Sequence, residues 1–407
     1  MYNWLYRQKE ELAKFFDQGP FVAREGLEMA IKSRDDGLIK AILGPRRAGK
    51  SVFAYLLLKD TNFAYVNFDD NEAIKVLDSD KLTDQLGIVY PGFTHILFDK
   101  IQNFPNWELY VNKLQRRGYK MVITGSNSNL LSQELGSHLT GRYSPYEVLP
   151  FSYKEYLNVS PSKINRLPEY LQEGGYPEVI IKKIERISYL SNLLDAIISK
   201  DITGRYKLTY PQRIRDLARY LLANFACEHT PRRLASVISA PAKNPSMVIK
   251  YLNFLHQSYL IMPLERYSYK FRERIVSPKK YYLSDTGFAP VSFSQNIGSL
   301  LENAIFLQLM RQGYKLNYDL FYFKTKNGKE VDFVTRDGLK VNNLIQVCTD
   351  LTDPKTLKRE VSALHDASKE LDCPNTTLIA FETPKVTASE LKITNLWTAE
   401  EWLRTSN

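Results

Sequence analysis

The stretch DGLIKAILGPRRAGKSVFAYLLLK, residues 36–59, decides how the first third of the chain folds. Leu38 to Leu43 make an apolar run of strand length, and a segment of helical character begins at Lys50. Between them Gly44 to Ser51 reads GPRRAGKS, which fits the spacing G-x-x-x-x-G-K-[ST]. The chemistry accounts for that spacing. Gly44 and Gly49 let the backbone fold around phosphates so that successive N–H groups point inward, and the helix N-terminus adds its positive dipole end. Lys50 is placed to reach the β- and γ-phosphates, and the Ser51 hydroxyl to ligate Mg²⁺. Gly44, Pro45, Arg46, Arg47, Ala48, Gly49, Lys50, Ser51 and Val52 are therefore the expected nucleotide-binding segment. No guanine-specifying N-K-x-D run appears, so ATP is the expected nucleotide.

Three further apolar segments follow: NFAYVNFDD (62–70), HILFD (95–99) and KMVITGSNSN (120–129). They alternate with helical stretches such as WELYVNKLQRRG (107–118), the pattern of a parallel sheet with crossover helices. In such folds a ligand sits at the carboxyl ends of the strands. Lys50, Asp70, Asp99 and either Ser126 or Asn127 all fall there. Asp99 is placed to hold the Mg²⁺ shell through water.

In order along the chain stand GPRRAGKS, the strand end at Asp99–Gln102, TGSNS (124–128) and LTGRY and EVLPFSYKEYL within 139–157. GGYPEV (174–179), ISKDITGRY (198–206) and YYLSDTGF (281–288) follow. Together they resemble one family, the bacterial and archaeal predicted AAA+ ATPases with a winged helix and a C-terminal nuclease-like domain. The resemblance runs nearly from end to end, and the order of the motifs carries it. It implies an α/β fold: a P-loop NTPase (AAA+-like) parallel sheet with a helical lid, a winged helix, and an α/β restriction-endonuclease-like C-terminal domain. It also implies that Ser126 or Asn127 senses the γ-phosphate. Arg142 becomes the expected arginine finger on a nucleotide bound by a neighbouring subunit. A homo-oligomer is implied, a hexamer being one arrangement.

One residue departs from that pattern. In THILFDKIQNFPNW (94–107) the position after Asp99, normally a glutamate that orients and polarises water, is Lys100. A charged ammonium binds phosphate but cannot accept a proton. The expectation is tight ATP binding with hydrolysis slowed by roughly two to four orders of magnitude, unless Asp69 or Asp70 substitutes as the base.

Hydrophobic content of 44% with 25% charged residues is that of a globular protein with a full core. There is no apolar stretch of membrane-spanning length and no charged-then-apolar leader, so a cytoplasmic protein without membrane contact is expected. Cys227, Cys348 and Cys373 lack metal or disulfide spacing. The net charge of +10 is uneven: residues 200–280 hold 16 Lys and Arg against 5 Asp and Glu. That block points to a polyanionic partner, DNA first.

Within it QRIRDLARYLLANF (212–225), PRRLASVI (231–238) and NPSMVIKYLNFLHQSYLI (244–261) read as three helices. MPLERYSYKFRERIVSPKKYYLS (262–284) reads as two strands around a basic turn. Three helices and a hairpin make a winged helix, with Arg232, Arg233, Lys250, Lys270, Arg272 and Arg274 as DNA contacts. Protein docking is the alternative use of such a module.

Further on, a helix bearing Glu302 leads to LFYFKT (320–325), KEVDFVT (329–335) and LIQVCTD (344–350), an order that resembles the PD-(D/E)XK nuclease core. Asp332 fills the first acidic place. Gln346 and Cys348 stand where that pattern has Glu and Lys, so the site is expected to be a catalytically inactive remnant. Glu302, Glu330 and Asp332 remain as candidate metal ligands.

The expected domains are an ATPase core (1–150), a helical lid (151–205), a winged helix (206–275) and the nuclease-like domain (276–407). The leading expectation is an ATP-binding switch or slow ATPase acting on DNA. An ATPase that regulates a protein partner and an ATP-dependent nuclease are the alternatives.

Overall fold

The predicted strand over 38–43 forms as β1, Ile39–Leu43, and every residue of it is buried. The computed structural model describes residues 3–17, 19, 21–75, 79–126, 141–159, 166–238, 245–290, 293–383 and 385–405. The chain divides into two compact units: Met1–Pro150 with Gln257–Tyr259, and Phe151–His256 with Leu260–Asn407.

In unit 1, β1 joins β2 (Phe63–Asn67), β3 (His95–Asp99), β4 (Lys120–Gly125) and β5 (Tyr143–Glu147). All pairs are parallel, and the order is β2-β3-β4-β1-β5. β3 is buried along its whole length like β1, as expected of strands covered by helices on both faces. Lys40 sits within β1 at 0% exposure, and its ammonium meets Asp36 Oδ1 at 2.5 Å. The helix Asn3–Asp17 packs at the β2 edge. There the Gln8 amide donates to the Asn67 carbonyl at 3.0 Å and accepts from the Asn67 N–H at 2.9 Å. One side chain thus satisfies part of an edge that would otherwise invite strand pairing.

Unit 2 opens with helices Tyr153–Val159, Arg166–Glu173, Pro177–Lys182 and Arg186–Ala196. The ISKDITGRY motif then winds as a π-helix over Ile197–Gly204, burying Ile197, Ile198 and Ile202. Next come Pro211–Ala223, β6 (Cys227–His229), Pro231–Val237, Pro245–Gln257, β7 (Ile261–Glu265), Phe271–Val276 and β8 (Lys279–Leu283). β6, β8 and β7 form an antiparallel sheet in that order. Helix starts here follow local chemistry: Thr230 caps Pro231–Val237 by accepting from the Arg233 N–H, with proline at the first helical position. Two details differ from the sequence expectation. The stretch between β7 and β8 is not a bare turn but contains the helix Phe271–Val276, and β6 adds a third strand.

The last part runs Phe293–Arg311, β9 (Leu320–Lys324), β10 (Glu330–Asp337), β11 (Lys340–Cys348), Pro354–Leu371, β12 (Thr376–Ala380), β13 (Asn395–Thr398) and Ala399–Arg404. β9, β10 and β11 are antiparallel neighbours, whereas β11, β12 and β13 pair in parallel. Phe321, Val334, Leu344, Leu364, Ala367 and Leu378 lie in its core.

GGYPEV and YYLSDTGF meet inside unit 2. Buried Asp285 accepts from the Gly175 N–H at 2.6 Å and from the Gly287 N–H at 2.9 Å. Arg186 ties the same place by donating to the carbonyls of Gln172 and Gly287, each at 2.9 Å. These motifs therefore build a clasp.

Candidate functional site

The loop after β1 takes positive φ at Gly44, Arg47 and Gly49, a conformation that costs its glycines little. Gly44 has φ 140° and Gly49 φ 96°. A Cβ on Gly44 would lie 2.1 Å from the Val148 carbonyl oxygen, so the loop runs against the backbone beyond β5. Arg24 braces it from outside, donating to the carbonyls of Ala48 at 2.8 Å and Leu149 at 2.5 Å. Lys50 is buried at the loop's centre and donates to the carbonyls of Gly44 at 3.0 Å and Pro45 at 2.6 Å. An ammonium held by neutral carbonyls is poised to exchange them for anionic phosphate oxygens, which give stronger charge-assisted bonds. Lys50→Ala is expected to weaken ATP binding roughly 10- to 100-fold, about the worth of one hydrogen bond to a charged group. Fluorescence titration with an ATP analogue measures it.

Asp99 ends β3 and is buried. Ser51 donates its hydroxyl to the two Asp99 oxygens, at 3.0 and 2.9 Å. Thr124 donates to Asp99 Oδ1 as well, and accepts from the Lys100 N–H at 3.0 Å. The hydroxyl and carboxylate predicted for the Mg²⁺ shell thus converge, a donor set of hard oxygens that fits that ion. Thr124 was not anticipated. The register pairs Phe98 with Ile123, which sets Thr124 level with Asp99. Ser126 lies just past the end of β4, and Asn127 lies outside the described residues.

Lys100 takes a left-handed backbone conformation, φ 55°, and its side chain turns away from Asp99 to pair with Asp69. Asn103 also donates to Asp69, at 2.9 Å. Asp70 is occupied elsewhere: it caps the helix Asn71–Ile74 and accepts from Arg7 at 3.2 Å and Gln8 at 3.3 Å. Burial works against its charge, but those hydrogen bonds hold the Asp70 carboxyl below the usual range. Neither aspartate is set up to replace a catalytic glutamate: one neutralises the lysine and the other closes a helix.

Arg142 precedes β5, and its carbonyl accepts from the Ile39 N–H at 3.0 Å. It therefore stands level with the start of β1, about 17–20 Å below the phosphate loop along the strands. Its guanidinium is exposed and donates to Asn112 at 2.6 Å.

Unit 2 gathers Glu302, Glu330 and Asp332 around an unpredicted lysine. Lys280, on β8, has its side chain 2% exposed. Its ammonium lies 2.8 Å from Glu302, 2.6 Å from Glu330 and 3.3 Å from Asp332. Tyr282 donates its hydroxyl to the same Glu302 oxygen at 2.6 Å. Asp332 Oδ2 accepts from the Val347 N–H at 2.9 Å. Gln346 is spent at both ends, accepting from the Asp332 N–H at 3.2 Å and donating to Glu360 at 2.7 Å. Burial, then the Glu302 charge, raises Asp332 above the usual carboxylate range, with Lys280 opposing. Burial also pushes the Cys348 thiol up to about 11, which keeps it a thiol at neutral pH. The three carboxylates that the sequence left as candidate metal ligands are taken by Lys280. Among the described residues no group of three or more His, Cys, Asp and Glu side chains is arranged to hold a metal ion.

Arg232, Arg233, Lys250, Lys270 and Arg272 are exposed. Arg274 is not among them. Its side chain is 12% exposed, faces Glu265 at 3.4 Å, donates to the Asn317 carbonyl at 2.8 Å and lies over the Phe321 ring at 4.4 Å. It holds unit 2 together. No helix among the described residues is long and apolar enough to cross a membrane.

The AAA domain family matches residues 36–157, and two domains of unknown function, DUF8612 and DUF4143, match 164–295 and 297–387. The chain is 34% identical over 364 residues to the uncharacterized protein MJ1544 of Methanocaldococcus jannaschii, spanning 84% of this chain and 81% of that protein. It is 28% identical over 370 residues to an uncharacterized protein of Haemophilus influenzae, spanning 84% and 90%. Among solved structures, the Walker-type ATPase PABY2304 of Pyrococcus abyssi matches at TM-score 0.44 and 14% identity, over 66% of this chain and 95% of that one. A DNA replication initiation factor matches at TM-score 0.31 and 15% identity, over 57% and 86%.

Proposed function

We infer a function from this premise: the chain belongs to the family of MJ1544 of Methanocaldococcus jannaschii, and its first unit carries an AAA-type ATPase domain. It is an ATP-dependent switch, or a slow ATPase, that binds or remodels DNA as a homo-oligomer. One observation carries the reading. Ser51, Asp99 and Thr124 form a hydrogen-bonded set at the mouth of the phosphate loop, while the next residue offers an ammonium tied to Asp69. Such a site binds Mg²⁺-ATP through the loop N–H groups, Lys50, Ser51 and Asp99, and supplies no carboxylate free to activate water. Mg²⁺ would neutralise phosphate charge there. The position of Arg142, out of reach of its own loop, supports its use on a neighbour's nucleotide and hence an oligomer.

For unit 2 the element order supports a winged helix whose wing carries a short helix: helix, β6, helix, helix, β7, the helix Phe271–Val276, β8. The order helix, three antiparallel strands, helix, parallel strand supports a nuclease-like fold for the last third. Gln346 and Cys348, bonded within the protein, support the absence of cleavage. The five exposed cations Arg232, Arg233, Lys250, Lys270 and Arg272 are the DNA contacts of this reading. If each meets one phosphate, log K against log salt has a slope near −4.5, since each contact contributes about −0.9. Fluorescence anisotropy with a labelled duplex between 50 and 200 mM salt, a range on the order of that used for such slopes, measures it; binding indifferent to salt rejects the DNA assignment.

A specific observation favours a second reading. Tyr269, Phe271, Ile275 and Val276 are all exposed on the segment between β7 and β8. Large apolar side chains clustered beside charges suit a protein partner. DNA-stimulated ATP turnover separates the two, because only a nucleic-acid sensor couples DNA binding to the nucleotide site.

A further inference from the structure

An ammonium group carries three N–H donors, and in unit 2 the Lys280 ammonium meets three carboxylates. Glu302 comes from the helix Phe293–Arg311, and Glu330 and Asp332 come from β10. Two of the carboxylates are held from a second side as well: Glu330 Oε2 faces Lys324 at 3.5 Å and Asp332 Oδ2 accepts from Val347, while Tyr282 donates to the Glu302 oxygen that Lys280 already meets. With the ammonium in place the carboxylates are spaced for N–H donors, 2.6 to 3.3 Å away, and form no metal-holding group; a divalent ion in the same place would need them drawn in to about 2.0–2.6 Å. Lys280 cannot swing away. β8 is the central strand of its sheet, and the side chain lies against the Tyr322 ring, 5.9 Å from its centre. Leaving the pocket would strand a buried charge without partners.

We propose that Lys280 is a tethered cation standing permanently in the divalent-metal position of this acidic pocket, so that unit 2 is closed to metal by its own side chain. The pocket is a structural ion cluster joining β8 to the helix Phe293–Arg311 and to β10. The inference deepens the nuclease-like reading, and it rests on that reading only for the term metal position; the contacts themselves belong to this chain.

Removing the lysine charge should open the pocket to a real ion. The full chain carrying Asp99→Asn, which suppresses metal binding at the phosphate loop, is compared with the same chain carrying Lys280→Met as well. Free Mn²⁺ is followed by electron paramagnetic resonance without nucleotide. The expected result is one additional Mn²⁺ equivalent in the Lys280→Met chain, bound at least ~10-fold more tightly than any site of the parent, since second-shell and ligand changes move metal affinity by that order. Adding Asp332→Asn should abolish it. If Lys280→Met does not fold, refolding with Mn²⁺, or adding Asp332→Asn to remove the surplus charge, should recover the fold; recovery by neither overturns the proposal. A folded Lys280→Met chain that binds no Mn²⁺ overturns it too, as does a parent chain with an Mn²⁺ site that Asp332→Asn removes. DNA cleavage by the unmodified chain with Mn²⁺ tests the nuclease reading separately. Cleavage lost in both Asp332→Ala and Lys280→Met would overturn the closed-pocket assignment and give Lys280 a part in the chemistry.

Discussion

Replacing Lys100 by Glu is expected to raise ATP turnover roughly 100- to 10,000-fold, the usual contribution of a positioned general base. ATP affinity should change little, because the phosphate contacts come from the loop and Lys50 rather than from position 100. The backbone is ready for the exchange. Lys100 is already held in its left-handed conformation by the bond from its N–H to Thr124, and Thr124 is anchored on Asp99. The side chain is not ready: it leans on Asp69, and a glutamate there would meet a like charge. The double variant Lys100→Glu/Asp69→Asn should therefore turn over at least as fast as the single one, the new carboxylate being free to face the water. Steady-state phosphate release from all three proteins decides the matter. Equal and brisk rates with and without the glutamate would remove the switch reading and show that this chain activates water by another group.

The second large effect is structural. Gly174→Ala is expected to destabilise unit 2 by about 2–5 kcal/mol, from a backbone penalty of about 1–2 kcal/mol for a side chain in the left-handed region and overpacking of about 1–3 kcal/mol. Gly174 has φ 78°, and a Cβ there would lie 2.0 Å from Asp285 Oδ1 and 2.6 Å from the Gly287 nitrogen. The methyl cannot be accommodated by a flexible tip, because Asp285 is fixed by bonds from Gly175 and Gly287. Differential scanning calorimetry should show the unit 2 transition lowered by on the order of 10 °C, with the unit 1 transition unmoved. An unchanged unit 2 transition would mean that the clasp is not a stability determinant.

The candidate site was only partly legible in the chain itself. GPRRAGKS could be read because its function depends on residues one turn apart, and the strand before it and the helix after it are local patterns. Asp99 and the anomalous Lys100 followed from the same logic. Thr124 did not. Which polar residue at the end of β4 faces Asp99 depends on strand register, and a shift of one residue turns a side chain to the other face. The two aspartates behind β2 looked equivalent in sequence, yet one pairs with Lys100 and the other caps a helix. The count of positive charges in 200–280 misled in a similar way. Arg274 and Lys280 belong to that block, but both are turned inward to carboxylates.

Residue order alone made the phosphate loop and the run of alternating strands and helices around it readable, with Lys100 directly after Asp99. Those are properties of identity and short-range spacing, which covalent neighbourhood preserves. Packing chose which charges meet. It sent Lys100 to Asp69, Asp285 to the glycines of a distant motif, and Lys280 into a pocket of three carboxylates contributed from elsewhere in unit 2. The physical reason is that a charge is assigned by distance and burial, and both are set by strand register and packing between segments far apart in the chain.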